Sequence, residues 1–555
     1  MAYQHPGVYI EHVPSNALAI EAASTSVTAF LGHVRRGARV TAAAGKPIFV
    51  SSVSQFAAAF GPLGGGPGGI KNDGANPDTF GHAVNLYFSN GGTKAYIVPL
   101  SSTDGTAATA GTPAIAAVAA VAAQVGPPLV PAVPAVAAIA AQDGIEFAFG
   151  GSKRLKLTAT SPGLWANTLI ARLEAGQLAN EFKLTLGQRR APKVGETLQQ
   201  ATIETILEVI PGLSGDSASF AQRIAANSTL VTGALENGGV GNALPRNAVM
   251  SGGLDPAAPA KADYTAAFKK LQDYRDVSIL LLPGQAFKTG TATSEVYDEA
   301  ITHCESMKNR LVIVDAAADV ALGTPADVQA AALPTSSYAV LYHPQVSVTN
   351  PYFDPDTAPT LKSTFDLGPA AAAAGLWARI DGTRGVWKAP AGLEATVRGT
   401  LGPKILIGND LQDNLNEWGV NCLRAIIGPT VVWGARTLAT KAKPMFRYVS
   451  VRRTQSMIGE SLYRSLQAVV FEPNDHKLWS ALRASVIDFM DGLHRAGAFQ
   501  GEKASDAYFV RCGLGATMTQ GDIDGGIVRV VVGFAPLKPA EFVVVEIQQK
   551  VGQAS

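Results

Sequence analysis

The spacing of apolar and polar positions divides the chain into stretches of different character. Val27 to Val34 (VTAFLGHV) and Ala95 to Pro99 (AYIVP) are short β-branched and aromatic runs that predict strands. Ile48 to Gly61 (IFVSSVSQFAAAFG) predicts a strand or turn, then a short helix capped by Ser52 or Ser54. Phe80, Val84, Tyr87 and Phe88 recur at helical spacing, and Asn90-Gly91-Gly92 ends that helix. The clearest pattern lies between Asp263 and Pro344. Tyr264, Phe268, Leu271 and Tyr274 mark a helix, and Val277 to Pro283 (VSILLLP) is a continuous apolar run, as in a strand buried on both faces. A helix over Val296, Ala300, Cys304 and Met307 follows, then Leu311 to Asp315 (LVIVD), an Ala-rich helix and Tyr338 to His343 (YAVLYH). Strands alternating with helices predict βαβ units in a parallel sheet.

The chain changes elsewhere. Ser101 to Asp143 is a low-complexity Ala/Pro/Gly stretch that reads as a long loop or the entrance to an insertion. Alternating runs between Glu146 and Val249, such as Arg154 to Thr158 and Phe182 to Leu186, predict a β-rich module, with Ser161 to Asn167 as a turn around a buried Trp165. Gly375 to Pro390 (GLWARIDGTRGVWKAP) fits no simple period and reads as an ordered, polar, tightly turned connection. Further on, Phe446 to Arg453 predicts a strand. Leu478, Leu482, Val486, Phe489 and Leu493 form the stripe of a helix capped by Asn474 or Asp475 and stopped near Gly497. Ala507 to Cys512 and Gly526 to Phe534 predict two strands joined through Asp522 to Gly525.

Both ends are apolar strands set off by proline. Val8, Tyr9 and Ile10 precede Pro14; Phe542, Val543, Val544, Val545 and Ile547 follow Pro536 and Pro539. Burying one such side chain is worth about 1.5–3 kcal/mol, so each strand needs a partner, either in its own domain or in the sheet of a neighbour.

At 555 residues several domains are expected. Apolar residues make up 47% and charged residues only 16%, which fits either a surface covered by neighbouring subunits or an Ala/Gly-rich composition. A net charge of +1 gives no electrostatic footprint for nucleic acid. The isolated Cys304, Cys422 and Cys512 argue against a disulfide framework or zinc site, and no cofactor is expected. The first residues lack the pattern of a signal peptide, and the Ala/Val/Pro tract is too interrupted to insert in a membrane.

The search for catalytic chemistry turns up little. Gly64 to Gly69 contains G-x-G-x-x-G but has neither the strand before it nor the helix after it, and reads as a loop. Asp315 and His343 close predicted parallel strands, where α/β enzymes place their ligands, but no nucleophile motif accompanies them. The basic residues near 453 and across 384–388 read as loop-holding groups or a phosphate site, the first being the commoner role.

Taken in order, several segments resemble contractile tail sheath proteins. They include Pro6 to Glu11, Ser161-Pro162-Gly163 with Trp165 and Asn167, Gly252 to Asp255, Arg310 to Asp315 and Tyr338 to Pro344. The most specific run is Arg379, Asp381, Arg384, Gly385, Trp387 and Pro390, followed by Trp433 to Leu438 with Arg436, then Phe471 to Asn474 and Pro539 to Phe542. The resemblance implies a multidomain α/β protein with a subtilisin-like parallel core lacking catalysis (25–100 and 252–420) and an inserted β-rich domain (101–251). It further implies an α+β C-terminal domain (421–536) and extended arms (1–24 and 537–555). It implies a non-enzymatic subunit that polymerises helically by strand exchange around an inner tube, with baseplate and tail terminator proteins as further partners. Such a particle is a virion tail or an extracellular or cytoplasmic contractile machine, assembled in the bacterial cytoplasm. Pro14, Pro536 and Pro539 would lie in flexing arm linkers, and the helix carrying Lys477, Trp479, Arg483 and Asp488 would face the tube. A hydrolase or protease with β-rich appendages is the alternative.

Overall fold

The computed structural model describes residues 19–34, 47–61, 78–101, 109–112, 142–149, 151–189, 203–214, 217–238, 240–320, 322–351, 353, 355, 361–439 and 444–542. Val8, Tyr9, Ile10 and Pro14, the loop at Gly64 to Gly69, and Val543, Val544, Val545 and Ile547 lie outside them.

An eight-stranded sheet forms the centre. Its order is Ile48–Val50, Ala95–Leu100, Thr28–His33, Ile279–Leu281, Leu311–Asp315, Ala339–His343, Val420–Ala425 and Thr430–Trp433. The six inner strands are parallel and the two outermost antiparallel. Because side chains alternate across a strand, each inner strand feeds two cores. Phe30, Ile279, Leu281, Ile313, Val340 and Tyr342 face one layer of helices. Leu31, Leu280, Val312, Val314, Leu341 and Cys422 face the other. That double burial is why the sequence runs here are continuously apolar. The first layer holds Val53–Phe60, Thr79–Ser89 and Ala370–Arg384; the second holds Lys261–Leu271, Ala292–Met307 and Asn409–Glu417.

The region between Ser101 and Val249 contains the expected β-rich module. Seven strands, Ile203–Leu213, Phe182–Arg189, Leu169–Ala175, Arg246–Ser251, Thr109–Thr112, Ser152–Ala159 and Val231–Asn237, pair in that order, and two short strands add to it. Its own core surrounds Phe147, Trp165, Phe182 and Phe220. Two motifs distant in sequence meet at its base. Asn167 donates to the Gly253 carbonyl at 2.9 Å and accepts from the Gly253 N–H at 2.8 Å, while Asp255 accepts from the Leu164 N–H at 2.8 Å.

Three sequence expectations change. Gly375 to Arg384 is not a turned connection but most of the helix Ala370–Arg384, whose residues Ala370–Ala378 and Ile380 are all buried. Over Ala370–Ala378 the helix is enclosed on every side and carries no polar stripe, so its period is invisible. Only from Gly385 (φ 87°) does the chain turn as expected. Phe446 to Arg453 is not a strand: Pro444–Phe446 is a short 3-10 turn and Val449–Leu466 an 18-residue helix. Finally, the boundary drawn at 420/421 falls inside the strand Val420–Ala425, so this hairpin belongs to the central sheet.

Candidate functional site: the arm roots and the C-terminal domain

The signature residues meet the C-terminal domain along one buried polar seam. Asp381, near the end of the helix Ala370–Arg384 (the central helix), receives both terminal nitrogens of Arg453 at 2.9 and 2.5 Å. The same guanidinium lies 4.5 Å from the centre of the fully buried Trp377 ring and donates to the Thr25 carbonyl at 3.0 Å. The Thr25 hydroxyl donates to Asp381 at 2.6 Å. Two residues earlier, the Ala23 N–H donates to the Ser461 hydroxyl at 2.8 Å. The first described residues of the chain are thus tied to the helix Val449–Leu466.

That helix explains why its sequence misleads. Arg452 stacks against Phe446 and Tyr338 and donates to Ser337 at 2.8 Å. Glu460 is gripped by Arg275 and by Arg464, one turn on. Arg452 and Glu460 are therefore buried against the central domain rather than in water, and tertiary pairing outweighs the β-branched run that suggests a strand.

Arg436 holds the far end of the described residues. It grips Glu541 in a bidentate pair, with Nε 2.9 Å and Nη2 2.5 Å from the carboxylate oxygens, and donates to the Asn416 carbonyl at 2.7 Å. The Tyr448 hydroxyl adds a third donor to Glu541 at 3.3 Å. Asn421 braces Arg436 by accepting its N–H at 2.7 Å and donating to its carbonyl at 2.8 Å. Pro539 and Phe542 border an open cleft of about 850 Å³ walled by Trp387, Lys388, Asn416 and Trp433. Phe542 itself is exposed.

The other signature residues play local parts. Arg379 donates to the Thr396 carbonyl at 2.6 Å, Arg384 pairs with Glu394 in solvent, and Lys388 donates to the Ala389 carbonyl at 3.0 Å. Gly385 lies so close to the Trp387 ring that a Cβ would meet it at 2.4 Å, and Pro390 is buried.

Beyond the seam, Asp475 caps the helix His476–Arg495 by accepting from the N–H groups of Lys477 and Leu478. Leu482, Val486, Met490 and Leu493 form its buried stripe. Trp479 donates to Asn474 at 2.8 Å, and Arg483 donates to the Cys512 carbonyl and to Ser480. Both are therefore engaged within the domain, whereas Lys477 and Asp488 point to solvent. Against this helix packs a sheet of two antiparallel strands, Tyr508–Arg511 and Val531–Phe534. Among the described residues neither strand has a partner on its outer edge. Pro536 follows at once, bridged to Phe499.

Among the described residues Asp315 and His343 share no hydrogen bond or ion pair, and Asp315 is taken up by a backbone contact. The Asp315 carboxylate accepts from the Ala370 N–H at 2.9 Å, capping the start of the central helix. A Cβ on Gly368 would sit 2.1 Å from it, so the backbone closes over the group. Burial pushes its pKa up to about 7. Burial also holds His343 down to about 4, with the imidazole neutral. Cys304 and Cys422 are buried thiols pushed up to about 12, too high to act as nucleophiles near neutrality. Among the described residues no group of His, Cys, Asp and Glu is placed to hold a metal, and no helix is long and apolar enough to cross a membrane.

Residues 257–438 match the family described as phage tail sheath protein central domain, and residues 441–550 the phage tail sheath C-terminal domain. The chain belongs to the phage tail sheath family. The tail sheath protein of Burkholderia phage BcepMu is 35% identical over 138 residues, a match spanning 24% of this chain and 29% of that protein. Sheath-family folds extend over nearly the whole chain. The contracted sheath of the anti-feeding prophage aligns over 99% of this chain and 100% of its own (TM-score 0.55, 21% identity). The contracted PVC sheath of an extracellular contractile injection system aligns over 99% of both chains (TM-score 0.52, 21% identity). The sheath tail protein of Desulfitobacterium hafniense aligns over 96% of this chain and 100% of its own (TM-score 0.58, 13% identity).

The residues that sequence reasoning leaves without a role are Thr25, Glu460 and Ser461. The signal for Glu460 and Ser461 is a charged and hydroxyl-rich stretch sharing one helix with buried apolar positions, whereas Thr25 lies outside that helix.

Proposed function

We propose that this chain is a structural sheath subunit. It polymerises helically around an inner tube and contracts to drive that tube through a target cell envelope. The observation that carries the reading is the two-stranded sheet of the C-terminal domain, open on both edges among the described residues and set beside the roots of both terminal segments. A two-stranded sheet is marginal alone and gains from added strands. The terminal runs Val8 to Ile10 and Phe542 to Ile547 have the composition to supply them, so the proposal is strand addition between subunits. Head-to-tail contacts of this kind generate helices rather than closed dimers.

The partners that follow are further copies of the chain, the inner tube protein, and the baseplate and terminator proteins that end the stack. The particle would be a virion tail or a related contractile machine assembled in the bacterial cytoplasm. Lys477 and Asp488, on the exposed side of their helix, are the residues offered to the tube. The parallel core is best described as subtilisin-like, with the strand-end carboxylate of Asp315 turned to capping a helix. The sheets support a division into a central domain (25–100 and 252–438), the insertion and a C-terminal domain from 444, with the terminal arms beyond.

The test is negative-stain electron microscopy of the full chain beside a chain lacking residues 543–555, which retains Glu541. Long hollow tubes from the first and only monomers or single rings from the second support the reading. Monomers from both at high concentration would exclude it.

A further inference from the structure

We infer that the chain is anchored at both terminal roots to a single rigid element, the helix Val449–Leu466 with its N-cap Tyr448, and that Glu541 rather than the Pro536–Pro539 segment is the last point, among the described residues, at which the C-terminal root is fastened. The inference rests on the sheath reading for its consequence, but its geometry belongs to the isolated chain.

The N-terminal root is held at two points on that helix, by Arg453 through Thr25 and by Ser461 through Ala23. The C-terminal root is held at the start of the same helix. Tyr448 donates to Glu541, and Arg436, which grips Glu541, is bridged through its backbone to Tyr448. The Val449 N–H donates to the Ala435 carbonyl at 3.0 Å, so the Arg436 segment and the helix start are fastened together. At about 1.5 Å per residue, Arg453 and Ser461 lie about 8 and 20 Å along the axis from Tyr448. The separation of the two roots is therefore set within one helix.

The path of residues 536–540 fits this. The Ala535 N–H donates to the Ala507 carbonyl at 2.8 Å and Pro536 bridges to Phe499, fixing the near end. The Glu541 carboxylate fixes the far end. The prolines that suggest a flexing linker instead lie on a short span tied at both ends, and Pro539 borders the cleft. An arm pulled by a neighbour would load the Arg436–Glu541 pair first, before any force reaches the small sheet at Val531–Phe534. Arg436 is suited to this because its planar guanidinium holds a carboxylate by parallel hydrogen bonds, and its side chain is only 8% exposed against 16% for Glu541.

The test uses the full chain carrying Glu541→Gln, with Tyr448→Phe as a milder second variant in case the first misfolds. Amide hydrogen exchange is read on the monomer at Leu537, Lys538, Ala540, Glu541 and Phe542, and on sheaths assembled around tubes. The expected result is exchange faster by about tenfold or more over 537–542, with 508–511 and 531–534 unchanged, since hydrogen bonds to charged groups are among the stronger ones. Tyr448→Phe gives a smaller rise at the same residues. Sheaths of Glu541→Gln subunits should assemble but lose helical order on contraction. Unchanged exchange over 537–542 in both variants would overturn the anchor. Faster exchange with fully ordered contracted sheaths would overturn its role in setting subunit geometry. If the unaltered chain forms no sheath, the functional reading fails while the exchange result still decides the anchor.

Discussion

Asp381 and Arg453, 72 residues apart, form an ion pair in which both side chains are under one-tenth exposed, 7% and 3%. The pair joins the central helix to the C-terminal domain. Removing one partner of a buried pair strands a charge, so Asp381→Ala should cost about 3–5 kcal/mol in urea unfolding. Glu394→Ala, which breaks the solvent-exposed pair with Arg384, should cost about 1 kcal/mol or less in the same assay.

Gly375 and Gly382 lie on the same helix in opposite circumstances. A Cβ at Gly375 would meet the Tyr87 carbonyl oxygen at 2.2 Å, where the helices Ala370–Arg384 and Thr79–Ser89 cross. One at Gly382 would meet nothing within 4 Å. Gly375→Ala should therefore destabilise by about 1–3 kcal/mol through forced separation of the helices. Gly382→Ala should stabilise by roughly 0.5–1 kcal/mol through helix propensity. Thermal melting of the two variants side by side checks the contrast.

Acid sensitivity should follow from three histidines opposed by one carboxyl group. Burial holds His82, His303 and His343 at about 4, with Arg310 adding to the effect at His303. The unfolded chain takes up protons at these sites near 6.5, so their contribution to stability is lost as pH falls from 6.5 towards 4. Asp315 works the other way. Its folded pKa of about 7 means the native state holds a proton that the unfolded state releases near 3.8, so this group destabilises the fold increasingly as pH rises from about 4 to above 7. Asp315→Asn keeps an oxygen to cap Ala370. It should be more stable than the unaltered chain at about pH 8, by a few kcal/mol at most, and equal to it near pH 4. Denaturation midpoints from about pH 4.5 to about pH 8 would show its acid loss to be the steeper.

On the helix His476–Arg495, surface and structure should separate by mutation. Lys477→Glu and Asp488→Lys, both exposed, should leave Tm within about 2 °C, as surface changes usually do, yet weaken co-assembly with inner tubes. Arg483→Ala, which removes the bond to the Cys512 carbonyl, should instead lower Tm in the monomer. Co-sedimentation with tubes, beside melting curves, reads both.

What the sequence makes legible follows from burial. Leu311–Asp315 and Ala339–His343 are plain because a strand covered on both faces is apolar throughout. The stripe of His476–Arg495 is plain because one side faces water. The central helix hides because Ala370–Ala378 is covered on all sides, and Val449–Leu466 hides because its inward face carries Arg452, Arg453 and Glu460, whose partners lie elsewhere in the chain. The Arg436–Glu541 pair spans 105 residues and no local pattern announces it. The signature residues stand out as a group, but their work at a domain seam becomes visible only when Thr25, Asp381, Trp377 and Arg453 are seen together.

If strands are added between subunits as proposed, the ribbon of Tyr508–Arg511 and Val531–Phe534 makes the folding of this chain depend on its own abundance. A unit that lacks strands in isolation and gains them from neighbours has a stability governed by mass action. At low concentration its melting temperature should be modest and should rise as subunits accumulate. Newly made chains would then remain soluble and exchangeable until enough are present to grow a particle, after which each addition makes its predecessor harder to unfold.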